Sequence, residues 1–106
     1  HVGATPVMID CKENSFEMDY NKMANAITEK TKVIIPVDLA GVMCDYDTIF
    51  DIVESKKDLF KPNGPIQDAF DRIIVMADGA HSFGASYKKF PCFWCYEKRQ
   101  KVWFCS

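Results

Sequence analysis

Two apolar runs in this chain close on an acid. "RIIVMAD" ends at Asp78 and "KVIIPVD" ends at Asp38, and Asp78 is followed directly by Gly79, Ala80 and His81. If the runs are strands of an open parallel sheet, both acids lie at carboxyl ends, where such sheets bind ligands in a crevice. A carboxylate there, half out of water, needs a positive or hydrogen-donating partner, because burying it bare is costly. A metal ion would serve, and so would the protonated ring nitrogen of a cofactor. Ala80 would let a flat ring lie against the backbone, and His81 could donate or accept at a ring substituent. The plainer alternative is that Asp78 caps a turn and His81 is a loop histidine, and residue type alone does not choose.

A second candidate chemistry lies near the end of the chain, where Cys92 and Cys95 form a C-x-x-C with Cys105 nearby. A structural zinc needs four ligands, usually from two such pairs, and one pair is present. A thioredoxin-like pair sits at the start of a helix after a strand, a context that is missing. No metal site is assigned, and Cys11 and Cys44 are expected to face the core. Five cysteines, odd in number and unevenly spaced, read as reduced thiols of a cytoplasmic protein rather than as a disulfide framework. A net charge of -2 offers no basic footprint for nucleic acid. No apolar run approaches the ~18 residues of a membrane span.

The elements that must position these residues follow from periodicity. Strands are predicted at 5–10 ("TPVMID"), 32–38 and 72–78, the last two continuous enough to be covered by helices on both faces. In "DYNKMANAITEK", Tyr20, Met23, Ala24 and Ile27 form one helical stripe with Asp19 as its cap. Tyr46, Ile49, Phe50 and Val53 form another, capped by Asp45, with Lys56 and Lys57 at the end that suits positive charge. Pro62, Gly64 and Pro65 mark a loop that resumes as a short helix from Ile66 to Phe70. Alternating strands and helices imply an α/β fold of βαβ units. With 106 residues, the chain is one modest domain or a piece of a larger one.

Several of these segments resemble, in order, motifs of the DegT/StrS family of sugar aminotransferases. "GATPVMID", "MDYNKMANAITEKTKVIIPVDLAG", "CDYDTIFDIVE" and "VMADGAHSFGASYKK" each have a counterpart, and the agreement runs from Gly3 to about Tyr87. The resemblance implies an internal fragment of the three-layer large domain of a pyridoxal 5'-phosphate (PLP) enzyme, with a mostly parallel sheet and flanking helices. It implies that Asp78 pairs with the pyridine nitrogen, that Ala80 packs on a ring face, and that His81 bonds the ring's phenolic oxygen. Asp38 falls where many members have histidine, and Ala40 where many have an aromatic residue.

The family's lysine, which holds the cofactor covalently, lies downstream in a motif that this chain lacks. Lys98 and Lys101 fall in the right region, but their surroundings do not match, so no catalytic residue is assigned. Residues 1–89 are read as part of the cofactor-binding domain and 90–106 as a tail that departs from the family pattern, as a frame change would produce. The resemblance implies transfer of an amino group, from glutamate, to a nucleotide-linked keto-sugar, in a homodimeric parent whose fragment is inert alone. Relatives with histidine in place of the lysine leave a dehydratase open. The alternatives from other classes are a small flavodoxin- or receiver-like binding module and a zinc-stapled interaction domain.

Overall fold

Asp19 opens the first helix as expected. Its carboxylate accepts from the backbone N–H of Asn21 and Lys22 at 3.0 and 3.1 Å, satisfying two of the donors that a helix start leaves free. The computed structural model describes residues 2–88, with the backbone alone of 90–91, 96–97 and 100–105. Helices are α1 (Tyr20–Ala26), α2 (Tyr46–Ser55) and α3 (Pro65–Phe70). Strands are β1 (Val33–Ile34), β2 (Ile74–Asp78), β3 (Ser86–Tyr87), β4 (Phe90–Pro91), β5 (Tyr96–Glu97) and β6 (Gln100–Cys105). The main sheet has the order β1-β2-β6-β5. β1, β2 and β6 run parallel, and β5 pairs antiparallel with β6.

The α/β class and the predicted helices hold, while the strand reading needs three corrections. Residues 5–10 form no strand: Val7 and Met8 are exposed, and the nearest pairing is an isolated bridge from Cys11 to Met18. An apolar run becomes a strand only against a partner edge, and none of the described residues supplies one. The second run pairs regularly only at Val33 and Ile34, then resumes as a single bridge between Val37 and Asp78. Pro36 interrupts it, having no N–H to give the ladder. The tail, where no strand is predicted, contributes β6, whose residues 102–105 pair with residues 75–78 of β2.

The core lies on one side of this sheet. Ile34, Val75 and Ala77 point toward α1 and α2, joining Tyr20, Met23, Ile27, Tyr46, Ile49, Phe50 and Val53. Side chains alternate along a strand, so Val33, Ile35 and Val37 point the other way and are 39%, 60% and 50% exposed. Two-sided helical cover is therefore not met among the described residues. Cys44 is buried as expected, but Cys11 is exposed, because the segment that carries it lies outside the core.

Candidate functional site

Parity separates the two strand-end acids. Val37 and Asp78 are register partners in a parallel pair, so the Asp78 side chain shares the open face with Val37, while Asp38 turns to the helical side. Asp78 is half-buried, and its Oδ1 accepts from the Ala80 N–H at 3.1 Å. Its Oδ2 accepts no hydrogen bond from any described residue. The backbone around it is fixed: Asp78 N donates to Pro36 O at 2.8 Å, and Asp38 N donates to Asp78 O at 3.0 Å. The turn-capping alternative thus describes one carboxylate oxygen and leaves the other available.

Beyond Asp78 the chain makes two tight turns, closed by Ser82 N to Gly79 O at 3.0 Å and Ala85 N to Ser82 O at 2.9 Å. Ala80 and His81 are exposed on the first of them. The imidazole Nδ1 of His81 receives the N–H of Ala40 at 3.4 Å, which brings the loop after β2 against the 3-10 turn Leu39–Gly41. Asp78, Ala80 and His81 thus occur together at the sheet's carboxyl end.

Asp38 does not join them at the surface. It is fully buried, with Oδ1 accepting from Cys44 N at 2.9 Å and both oxygens 2.9 Å from the Tyr46 hydroxyl. Ser82 Oγ donates to its Oδ2 at 3.3 Å. These neutral donors, with no ion pair among the described residues, satisfy a carboxylate that could not otherwise be buried. Burial, reinforced by the Asp38 charge, pushes the neighbouring Cys44 thiol up to about 12. Asp45 is held below the usual carboxylate range, chiefly by the hydroxyl of Thr48. Asp45 also accepts from the Tyr87 hydroxyl at 3.0 Å, and the Tyr87 and Tyr46 rings meet edge to face at 5.6 Å.

Sequence reasoning missed Ser82, Tyr46 and Tyr87 as members of this cluster. Tyr46 was legible only as an apolar helix position. Its phenol, which a buried tyrosine must pair, was the signal that could have exposed it. Among the described residues, no group of three or more His, Cys, Asp or Glu could hold a metal. Cys92 and Cys95 lie outside the described residues, as do the side chains of Lys98 and Lys101.

A mostly parallel open sheet with helices packed on it defines an α/β protein of the class whose ligands bind beyond the carboxyl ends of the strands. The sequence model for the DegT/DnrJ/EryC1/StrS aminotransferase family matches residues 1–99, and the chain belongs to that family. It is 38% identical over 87 residues to the UDP-2-acetamido-2-deoxy-3-oxo-D-glucuronate aminotransferase of Pseudomonas aeruginosa, covering 82% of this chain and 20% of that protein. It is 32% identical over 88 residues to the GDP-perosamine synthase of Caulobacter vibrioides, covering 83% of this chain and 20% of that relative. The chain therefore spans about a fifth of the length of the curated relatives it matches. Among solved structures, the PLP form of a protein described as a sugar aminotransferase from Streptococcus pneumoniae superposes with a TM-score of 0.84 at 55% identity. That match covers 87% of this chain and 24% of the other.

Proposed function

We propose that this chain is part of the cofactor-binding domain of a PLP-dependent aminotransferase that acts on a nucleotide-linked keto-sugar with glutamate as amino donor. Residues 1–89 belong to that domain, and 90–106 form a divergent tail. The observation that carries the reading is Asp78, a strand-end carboxylate with one oxygen that accepts no hydrogen bond from any described residue, in a chain whose family is one of aminotransferases.

The residues present fit the group. Asp78 Oδ2 is the acceptor that a protonated ring nitrogen requires, and the exposed methyl of Ala80 leaves room for a planar ring. His81 stands on the same turn and would be the residue to bond a ring substituent. When bound, PLP supplies an electron sink for the pair released as a substrate Cα–H bond breaks. Asp78 would keep the ring nitrogen protonated, Ala80 would pack on the ring, and His81 would orient it through the phenolic oxygen. Proton transfer at the substrate carbon needs a basic side chain, and the sequence lacks the motif that carries the family's lysine, so these 106 residues alone should not turn over an amino donor. The parent enzyme is read as a homodimer of the cytoplasm. No helix among the described residues is long and apolar enough to cross a membrane.

The test is to titrate the apo form of the longer enzyme with PLP and follow cofactor absorbance. Asp78→Ala should weaken binding roughly 10- to 100-fold, the loss of a charge-assisted hydrogen bond of about 1.5–3 kcal/mol. Unchanged affinity and unchanged turnover would refute the assignment.

A further inference from the structure

The loop that presents Ala80 and His81 is mostly exposed. Its backbone makes the two local turns described above, Ala80 N donates to Asp78 Oδ1 at 3.1 Å, and from Ala80 to Ser86 only Ser82 is buried. An exposed loop keeps a fixed position only where some group ties it to the core. One such group is Ser82, which is 0% exposed, and its hydroxyl reaches Asp38 Oδ2 at 3.3 Å and Gly79 O at 3.2 Å. Asp38 in turn holds the start of α2 through Cys44 N and the Tyr46 hydroxyl, each at 2.9 Å. One carboxylate therefore joins the end of the β1 segment, the entry to α2 and the loop after β2. Other ties include Ala80 N to Asp78 Oδ1 at 3.1 Å, Ala40 N to His81 Nδ1 at 3.4 Å, and Tyr87 to Asp45 at 3.0 Å beyond the loop's far end.

We propose that Asp38 is a positioning residue, whose buried carboxylate fastens the 79–85 loop through Ser82 and so sets where Ala80 and His81 stand. This deepens the function proposed above and, for its consequence at the cofactor, rests on it. Asp38 itself touches no ligand: it is fully buried on the helical side of the sheet, whereas Asp78 faces the open side. Its effect on binding is therefore indirect, a change in how often the loop is in place rather than a lost contact.

The experiment uses the full-length enzyme and two variants, Ser82→Ala and Asp38→Asn. Ser82→Ala removes the hydroxyl that reaches Asp38 and Gly79 O and leaves the bonds from Cys44 and Tyr46 to Asp38 in place, so it remains informative if Asp38→Asn fails to fold. In the apo protein, hydrogen exchange at the amides of Ala80–Ala85 should speed up about fivefold to tenfold, the range expected for one hydrogen bond, while exchange within α2 is unchanged in Ser82→Ala. PLP titration should show affinity reduced by a similar factor with the bound cofactor's absorption maximum unmoved. Asp78→Asn should do the reverse, moving the maximum while keeping the oxygen that accepts from Ala80 N, and so leaving loop exchange alone. Unchanged loop exchange in Ser82→Ala would overturn the proposal. So would faster exchange with undiminished PLP affinity. A wild-type enzyme that binds no PLP would remove the cofactor reading, while the exchange data would still decide whether Asp38 fastens the loop.

Discussion

Cys44 sits between the end of the β1 segment and the start of α2, 3% exposed, with its thiol donating to the Val37 carbonyl at 3.4 Å. Burial first and the Asp38 charge second raise its pKa from 9.0 to about 12. The raised value means that the folded state holds this proton more tightly than the unfolded chain does. The stabilisation is complete below pH 9 and is lost as pH rises toward 12, at up to about 1.4 kcal/mol per pH unit. Denaturant melts between pH 8 and 11 should therefore fall less steeply with pH for Cys44→Ala than for wild type, and equal slopes would count against the burial argument. At neutral pH an alkylating reagent should modify the exposed Cys11 and spare Cys44, as read by peptide mass spectrometry. The same residue-scale logic explains what the site's sequence could reveal. Asp78, Ala80 and His81 are contiguous, so a motif finds them together. Asp38 has the same residue type at the same kind of place, and only the side on which helices pack decides that it is buried and not offered to a ligand.

Elements were legible where local chemistry decides them and illegible where a distant partner does. Asp19 and Asp45 cap α1 and α2 because a carboxylate beside a helix start finds free N–H donors whatever the tertiary fold. Residues 5–10 have strand composition yet stay unpaired, and Pro36 breaks a ladder that an apolar run alone would continue. The 3-10 turn Leu39–Gly41 had no signature at all, though it carries left-handed backbone at Ala40 (φ 55°) and Gly41 (φ 78°). This turn brings Ala40 N to His81, and the two adjacent residues in the same region make opposite predictions. Gly41→Ala should destabilise by about 1 kcal/mol, because a Cβ is disfavoured at positive φ. That cost is conformational, since an added Cβ would meet only His81 O at an ordinary 3.6 Å. Ala40→Gly should relieve the same strain and gain up to about 1 kcal/mol, less the greater entropy of the unfolded chain. Thermal melts of the two variants should shift in opposite directions, and two downward shifts would show that the turn is not strained at Ala40.

At the scale of the molecule, the described part of the sheet is covered by helices on one face and largely exposed on the other. The run "KVIIPV" could announce a buried strand but not what buries it, since continuous apolarity looks the same whether one face is covered or two. Helices α1 and α2 cover Ile34, Val75 and Ala77, while Val33, Ile35 and Val37 remain exposed, with Ile74 and Met76 beside them only half-buried. A contiguous apolar strip of this kind is sticky in water, and β1, at the end of the strand order, adds an unprotected edge. The 106-residue polypeptide by itself should therefore bind an apolar dye and sediment as more than a monomer at tens of micromolar. Ile35→Lys places a charge at the centre of the strip, on a side chain 60% exposed, where a surface substitution alters stability by no more than about 0.5 kcal/mol. It should shift sedimentation toward monomer and reduce dye binding without lowering the melting temperature appreciably. The matched substitution on the covered face, Ile34→Lys, should instead unfold the chain, because it buries an unpaired ammonium among Tyr20, Ile49 and Val75. Equal effects from the two neighbours would mean that the sheet has no distinct open side, and with it would go the separation of Asp78 from Asp38.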